Sequence, residues 1–193
     1  KNIAFSCTNA YYGTTAWKLH NTGLYQAENA VLALEVMRSL TGGSGRPHLW
    51  KEALARVTWE GRMEEILPGI YIDGAHNVNA VQRFAESVHA RGPHRKAVLF
   101  SAVQEKDYEK MTACLCRSLD ADFYVVTHLE DKRAMDAEKM AGAFARYTDR
   151  PVEVRKSPRE ALSYVRKHQD GRTVYCLGSL YLAGMLKELA REL

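Results

Sequence analysis

Lys96-Ala97-Val98-Leu99-Phe100-Ser101-Ala102 decides the fold. Four consecutive apolar residues leave no wet face, so a strand here is covered on both sides. Phe123-Tyr124-Val125-Val126 and Val174-Tyr175-Cys176-Leu177 repeat the pattern further along. Between such runs the apolar spacing changes to three and four. Residues 77–91 place Val81, Phe84, Ala85 and Val88 on one face, and residues 108–119 do the same with Met111, Cys114, Leu115 and Leu119. Both read as helices.

Outward from there, strands are expected at 63–67, 70–73, 96–102, 122–127, 151–154 and 173–177. Helices are expected at 47–57, 77–91, 108–119, 137–147 and 158–168, with a last one striped by Leu182, Met185, Leu186 and Leu189. Alternating strand and helix predicts α/β architecture with a doubly wound, mostly parallel, Rossmann-like sheet. Right-handed crossovers then gather the strand-to-helix loops at one edge, where such sheets bind ligands.

Upstream, Gly42-Gly43-Ser44-Gly45 reads as a flexible linker. It divides a first part, 1–41, from a second, 47–193, with 42–46 between them. The first part reads as a hairpin within residues 3–24 and a helix over 26–40, with Ala30, Ala33, Leu34 and Met37 inward. A stretch that short cannot build a core alone and is expected to lean on other material.

Composition narrows the partners. Apolar residues are 46% of the 193 and the net charge is +4, which argues against disorder. So weak a positive balance demands no nucleic acid or anionic membrane, and Trp17, Trp50 and Trp59 form no base-stacking platform with basic residues. No apolar run is long enough to span a bilayer, and no secretory signal opens the chain. A cytoplasmic location is expected. Cys7, Cys114, Cys116 and Cys176 contain no C-x-x-C pair, so buried reduced thiols are expected rather than a zinc site. The histidines other than His76 show no metal-ligand spacing and read as structural, with His128 able to line the edge.

The residues that follow the strands carry the chemistry. Ile70-Tyr71-Ile72 delivers Asp73-Gly74-Ala75-His76-Asn77 to the edge. Asp73 suits a ribose hydroxyl or a metal-bound water, His76 a carboxylate or phosphate, and the helix start offers free N–H groups to an anion. Equally, Asp73 and Asn77 fit plain turn and cap roles. Gly178-Ser179-Leu180-Tyr181 follows the last strand, with Ser179 a candidate N-cap. Glu105-Lys106-Asp107 reads as a solvated loop capped by Asp107. Arg62, after Gly61, matters if it points at a phosphate. Gln26 and Asn29 stand one turn apart at the head of the first helix, where side-chain hydrogen bonding accounts for them.

These stretches resemble a known family. Leu24-Tyr25-Gln26-Ala27-Glu28-Asn29-Ala30 is similar to the helix that closes the ATPase domain of folylpolyglutamate synthases. Trp59-Glu60-Gly61-Arg62-Met63-Glu64, then Asp73-Gly74-Ala75-His76-Asn77, resembles the opening of their carboxyl-terminal domain. Ser101-Ala102-Val103-Gln104-Glu105-Lys106-Asp107 and Gly178-Ser179-Leu180-Tyr181-Leu182 resemble two later landmarks. The Asp-Gly-Ala-His-Asn element is shared across the Mur ligase superfamily, while Gly-Ser-Leu-Tyr points to the folate branch. The chain departs from the family pattern at Tyr25, Glu60, Val78 and Glu105.

The resemblance implies an ATP-dependent acid–amino acid ligase. A folate or dihydropteroate carboxylate becomes an acyl phosphate, and the amine of L-glutamate displaces phosphate. It makes Asn29, Arg62 and Asp73 nucleotide contacts and puts His76 and Ser179 near the incoming glutamate. Many bacterial members are both folylpolyglutamate and dihydrofolate synthases. No glycine-rich phosphate loop ending in Lys-Ser/Thr occurs here. The ATPase domain of the same protein, holding Mg2+ and most of the folate site, is therefore expected upstream, and this chain alone is expected to be inactive. Asp73→Ala and His76→Ala are expected to abolish activity with the fold intact. Two alternatives remain: a non-catalytic Rossmann-like binding module, and a Mur-type ligase of cell-wall synthesis.

Overall fold

The computed structural model describes residues 2–9, 13–104, 106–129 and 131–193. Packing divides the chain into Lys1–Glu60 and Gly61–Leu193.

In the first unit, β1 (Ile3–Asn9) pairs antiparallel with β2 (Gly13–Leu19), Ile3 opposite Leu19. The tip of the expected hairpin, 10–12, lies outside the described residues. Helices α1 (Tyr25–Leu40) and α2 (Pro47–Arg56) follow. Of the four residues expected on the inner face of α1, Ala30 and Leu34 are buried, whereas Ala33 is exposed and Met37 is 41% exposed. Leu32, Val36 and Leu40, at i, i+4 and i+8, are exposed in this unit.

The glycine stretch is not a linker between the two units. Gly42 and Gly43 adopt left-handed φ of 56° and 79°. The Gly43 N–H reaches the Arg38 carbonyl at 3.1 Å and the Gly42 N–H that of Ser39 at 3.2 Å. This is a glycine stop that satisfies the end of α1. Helix α2 then packs on β2, so packing puts residues 47–60 with the first unit, not the second as expected.

The second unit is a six-stranded sheet of order β3-β4-β8-β5-β6-β7, with β3 (Glu64–Leu67), β4 (Ile70–Ile72), β5 (Lys96–Phe100), β6 (Phe123–Thr127), β7 (Val152–Arg155) and β8 (Thr173–Leu177). All neighbours are parallel except β3 and β4, an antiparallel hairpin. Its helices are α3 (Val78–His89), α4 (Tyr108–Leu119), α5 (Ala137–Ala145), α6 (Pro158–Lys167) and α7 (Leu180–Arg191).

Both sheet faces are covered, as the apolar runs require. Ile72, Leu99, Val125 and Cys176 cluster with Leu162, Val165, Leu182 and Leu186 of α6 and α7. Side chains alternate along a strand, so Tyr175, Phe100 and Tyr124 point the other way. There Phe84 of α3 meets Tyr175 edge-on at 5.5 Å, and Phe144 of α5 meets Phe100 at 5.5 Å and Tyr124 at 4.7 Å. The expected strand ends shift at two places that matter: Met63 (φ 48°) lies outside β3, and Asp73 lies beyond β4. Among the described residues no helix is long and apolar enough to cross a membrane.

Candidate functional site

The carboxyl edge of the sheet is built by backbone ties between neighbouring loops. Because β4 and β8 run parallel, with Ile72 beside Cys176, the segments that leave them lie together. The Asp73 N–H donates to the Cys176 carbonyl at 2.9 Å, and the Gly178 N–H to that of Ala75 at 2.9 Å. From the next strand, the Ser101 N–H reaches the Leu177 carbonyl at 3.3 Å, and Ser101 Oγ donates to the Thr127 carbonyl at 2.7 Å. Gly178 is required here: its φ is 108°, and a Cβ would run into the Ser101 carbonyl and the Phe100 ring.

Asp73 is 2% exposed. Its Oδ1 accepts from the Ala75 N–H at 2.8 Å and its Oδ2 from the Met63 N–H at 2.9 Å. One carboxylate thus shapes its own turn and latches the loop before β3. That loop joins the rim because β3 is antiparallel: Glu64 pairs with Ile72, so residues 61–63 sit beside residues 73–75. The Gly74 N–H donates to the Gly61 carbonyl at 2.7 Å. Arg62 then crosses over Gly74, where a Cβ would overlap the Arg62 Nη1 and Leu180 Cδ2.

His76 Nδ1 lies 2.8 Å from the Gly74 carbonyl. A carbonyl only accepts, so Nδ1 carries the hydrogen and Nε2 is the acceptor of the neutral ring. Asn77 caps α3, accepting from the Ala80 N–H at 2.9 Å. Ser179 is 3% exposed and caps α7, with Oγ accepting from the Tyr181 N–H at 3.1 Å. Asp73, His76 and Ser179 therefore share one rim with Arg62. Asp107 caps α4 through the Lys110 N–H at 3.2 Å, and a second bond, from the Lys110 ammonium at 2.6 Å, is the main cause holding its carboxyl below the usual value. Glu105 lies outside the described residues.

Sequence reasoning missed one charged group at this edge. Arg133, on the loop after β6, hydrogen-bonds Asp131 at 3.2 Å and the Tyr181 hydroxyl, with its guanidinium 5.0 Å from that ring's centre. Asp131-Lys132-Arg133 carries no local signal; only folding brings it to the first turn of α7. The expected structural histidines include His94, whose Nε2 lies 2.9 Å from the Tyr175 hydroxyl.

Asn29 belongs to the first unit. Its Nδ2 donates to Gln26 Oε1 at 2.7 Å, and both line a cavity of about 170 Å³ with Leu19, Ala33, Leu54 and Trp59. The lining is mostly apolar, with the carboxamides of Asn21, Gln26 and Asn29 as its polar groups, the make-up common to small-molecule pockets. Among the described residues the cysteines form no disulfide; Cys114 and Cys176 are buried as expected, while Cys7 and Cys116 are half-buried. Burial pushes the Cys176 thiol up, so it is inert rather than nucleophilic. Among the described residues no three His, Cys, Asp or Glu side chains gather to hold a metal ion.

Open, mostly parallel α/β sheets bind ligands at the carboxyl ends of their strands, and this domain brings an Arg, a His and a capping Ser to that edge. The family model for the Mur ligase, glutamate ligase domain matches residues 61–180, and the chain belongs to that family. It is 34% identical over 96 residues to a dihydrofolate synthase/folylpolyglutamate synthase of Bacillus subtilis, covering 46% of this chain and 22% of that protein. To the protein of the same name from Mycobacterium tuberculosis it is 33% identical over 126 residues, covering 62% and 26%. The solved structure of Mycobacterium tuberculosis folylpolyglutamate synthase complexed with ADP superposes with a TM-score of 0.83 at 26% identity, over 98% of this chain and 47% of that one. The chain thus spans about half the length of that structure, and the matched stretches about a quarter of the curated relatives.

Proposed function

We propose that this chain is the carboxyl-terminal part of an ATP-dependent ligase that adds L-glutamate to a folate, acting through an acyl phosphate. The carrying observation is the rim on which Arg62 is latched beside His76 and Ser179. The folate branch is favoured by the names of the matched relatives and by Gly178-Ser179-Leu180-Tyr181.

In this reading ATP supplies the phosphoryl group that activates the substrate carboxylate. The protein's part is to hold the reactants together, and positioning alone lowers such barriers strongly. Asn29, in a cavity walled by apolar side chains, contacts the base. Arg62 offers its planar donor fork to phosphate oxygens. Asp73 serves the nucleotide side chiefly by fixing the backbone on either side of Arg62 and Gly74. His76 and Ser179 face the glutamate. The His76 Nε2 takes the proton released as the amine attacks the acyl carbon, phosphate leaves and the amide forms. Divalent metal, Mg2+, is assigned to a preceding ATPase domain; among the described residues no three His, Cys, Asp or Glu side chains gather to hold one.

The first unit is proposed as the end of that ATPase domain. Its exposed apolar stripe, Leu32, Val36 and Leu40, is the kind of face that a parent domain covers. Thiols held outside disulfides favour the cytoplasm as the compartment. The test uses the full-length enzyme with ATP, L-glutamate and either a folate or a nucleotide-linked cell-wall precursor. ADP release together with a one-glutamate mass gain on the folate alone is expected. Turnover of the cell-wall precursor instead would overturn the reading. The 193-residue chain by itself is expected to give neither product.

A further inference from the structure

Arg62 stands between two left-handed residues, Gly61 (φ 64°) and Met63 (φ 48°). A non-glycine residue in that region is strained and persists only where its surroundings fix it. Asp73 fixes the Met63 side. The Gly61 side is fixed by Glu64, whose Oε2 accepts the Gly61 N–H at 2.6 Å. The other oxygen of Glu64 accepts from Lys187 Nζ at 2.6 Å. Lys187 lies on α7, and the two side chains are only 17% and 26% exposed. The same helix presses Leu180 against the Arg62 guanidinium over Gly74. Helix α7 therefore meets Arg62 directly from its first turn and indirectly, through Glu64, from Lys187 about two turns further on.

We propose that the Lys187–Glu64 pair positions Arg62 for an anionic phosphate, an inference that rests on Arg62 contacting the nucleotide. The pair does two things. It holds the peptide before Arg62, and it keeps the charge of Glu64 engaged away from a guanidinium two residues distant. Without Lys187, the Glu64 carboxylate becomes an internal anion that competes with phosphate for Arg62, because an Arg fork takes either group in the same geometry. Lys187 and Glu64 are positioning residues; neither touches the reactants. Because Ser179 caps the same helix, α7 joins the glutamate side of the rim to the phosphate side.

The experiment measures ADP affinity by calorimetry on the full-length enzyme, with KM for ATP and for glutamate beside it. Lys187→Met is expected to weaken ADP about tenfold, the loss of one charge-assisted hydrogen bond behind the loop, with KM for glutamate little changed. Lys187→Arg keeps the charge and retains wild-type affinity. Adding Glu64→Gln to Lys187→Met removes the competing charge yet keeps an acceptor for the Gly61 N–H, so affinity recovers most of the way. An ADP affinity unchanged in Lys187→Met, with Arg62→Ala weakened, overturns the inference and leaves the nucleotide reading standing. No recovery in the double variant reduces the pair to a structural ion pair and overturns it as well. An Arg62→Ala enzyme that binds ADP normally overturns the underlying reading, and the inference with it.

Discussion

The Asp73 carboxylate meets the Met63 amide at 2.9 Å across ten residues of chain, so the residue expected to touch a ligand also closes the loop that carries Arg62. Its second oxygen binds the Ala75 N–H, and both contacts are buried. Asp73→Ala leaves two buried N–H groups unsatisfied and is expected to cost about 2–5 kcal/mol, read as a lower urea midpoint. The fold is still expected to persist in this variant, at lower stability. His76→Ala is expected to leave stability nearly unchanged, since that ring bonds a single carbonyl at the rim. An Asp73→Ala protein with the wild-type midpoint would show the latch to be idle.

Ser179 has two separable roles. Its Oγ caps α7, and in the proposed reaction it faces glutamate. Ser179→Ala loses both, with about 1 kcal/mol of stability going with the cap. Ser179→Asn restores a cap without the hydroxyl. It is expected to keep the melting temperature while raising KM for glutamate more than KM for ATP. Equal rises in the two constants would remove Ser179 from the glutamate side.

Gly74→Ala separates Arg62 from the fold. The added methyl collides with the tip of Arg62 and with Leu180, both ends of flexible side chains, so the cost in stability is about 1–3 kcal/mol. Displacing the guanidinium is expected to weaken ADP as much as Arg62→Ala does. Unchanged ADP affinity would mean that Arg62 acts from another position.

Asp122 sets a pH dependence. Burial pushes its carboxyl up, but hydrogen bonds from Arg172 at 2.7 Å and Arg95 at 2.9 Å outweigh that and leave it below the usual value of 3.8. A carboxyl lowered by folding stabilises the native state above its unfolded value, and that stability is lost as the pH falls through the folded one. Asp122→Asn is therefore expected to be less stable than wild type at pH 7 and to approach it once the pH has fallen below the usual carboxylate range, as urea titrations at neutral and acid pH would show. A constant difference would mean that packing, not charge, is responsible.

The second unit was readable because its strands are buried on both faces and so write long apolar runs, as at Ala97–Phe100 and Val174–Leu177. The rim was readable because parallel register forces Asp73, His76 and Ser179 to one edge. The misreadings have local causes. Gly42 and Gly43 carry the composition of a linker, but their left-handed φ terminates α1. Helix α2 has no fully buried residue, so nothing in its pattern tells which unit it joins. The double duty of Asp73, the approach of Arg133 to Tyr181 and the reach of Lys187 to Glu64 over 123 residues are products of tertiary packing with no local signature.

The loops after β4, β5 and β8 are stitched by main-chain atoms at Asp73, Ser101 and Gly178. Such stitches do not depend on which side chains stand above them. Exchanging the residues at 76 or 179 would redecorate a pedestal that keeps its shape, and a domain built this way is free to drift toward a different ligand without rebuilding its scaffold.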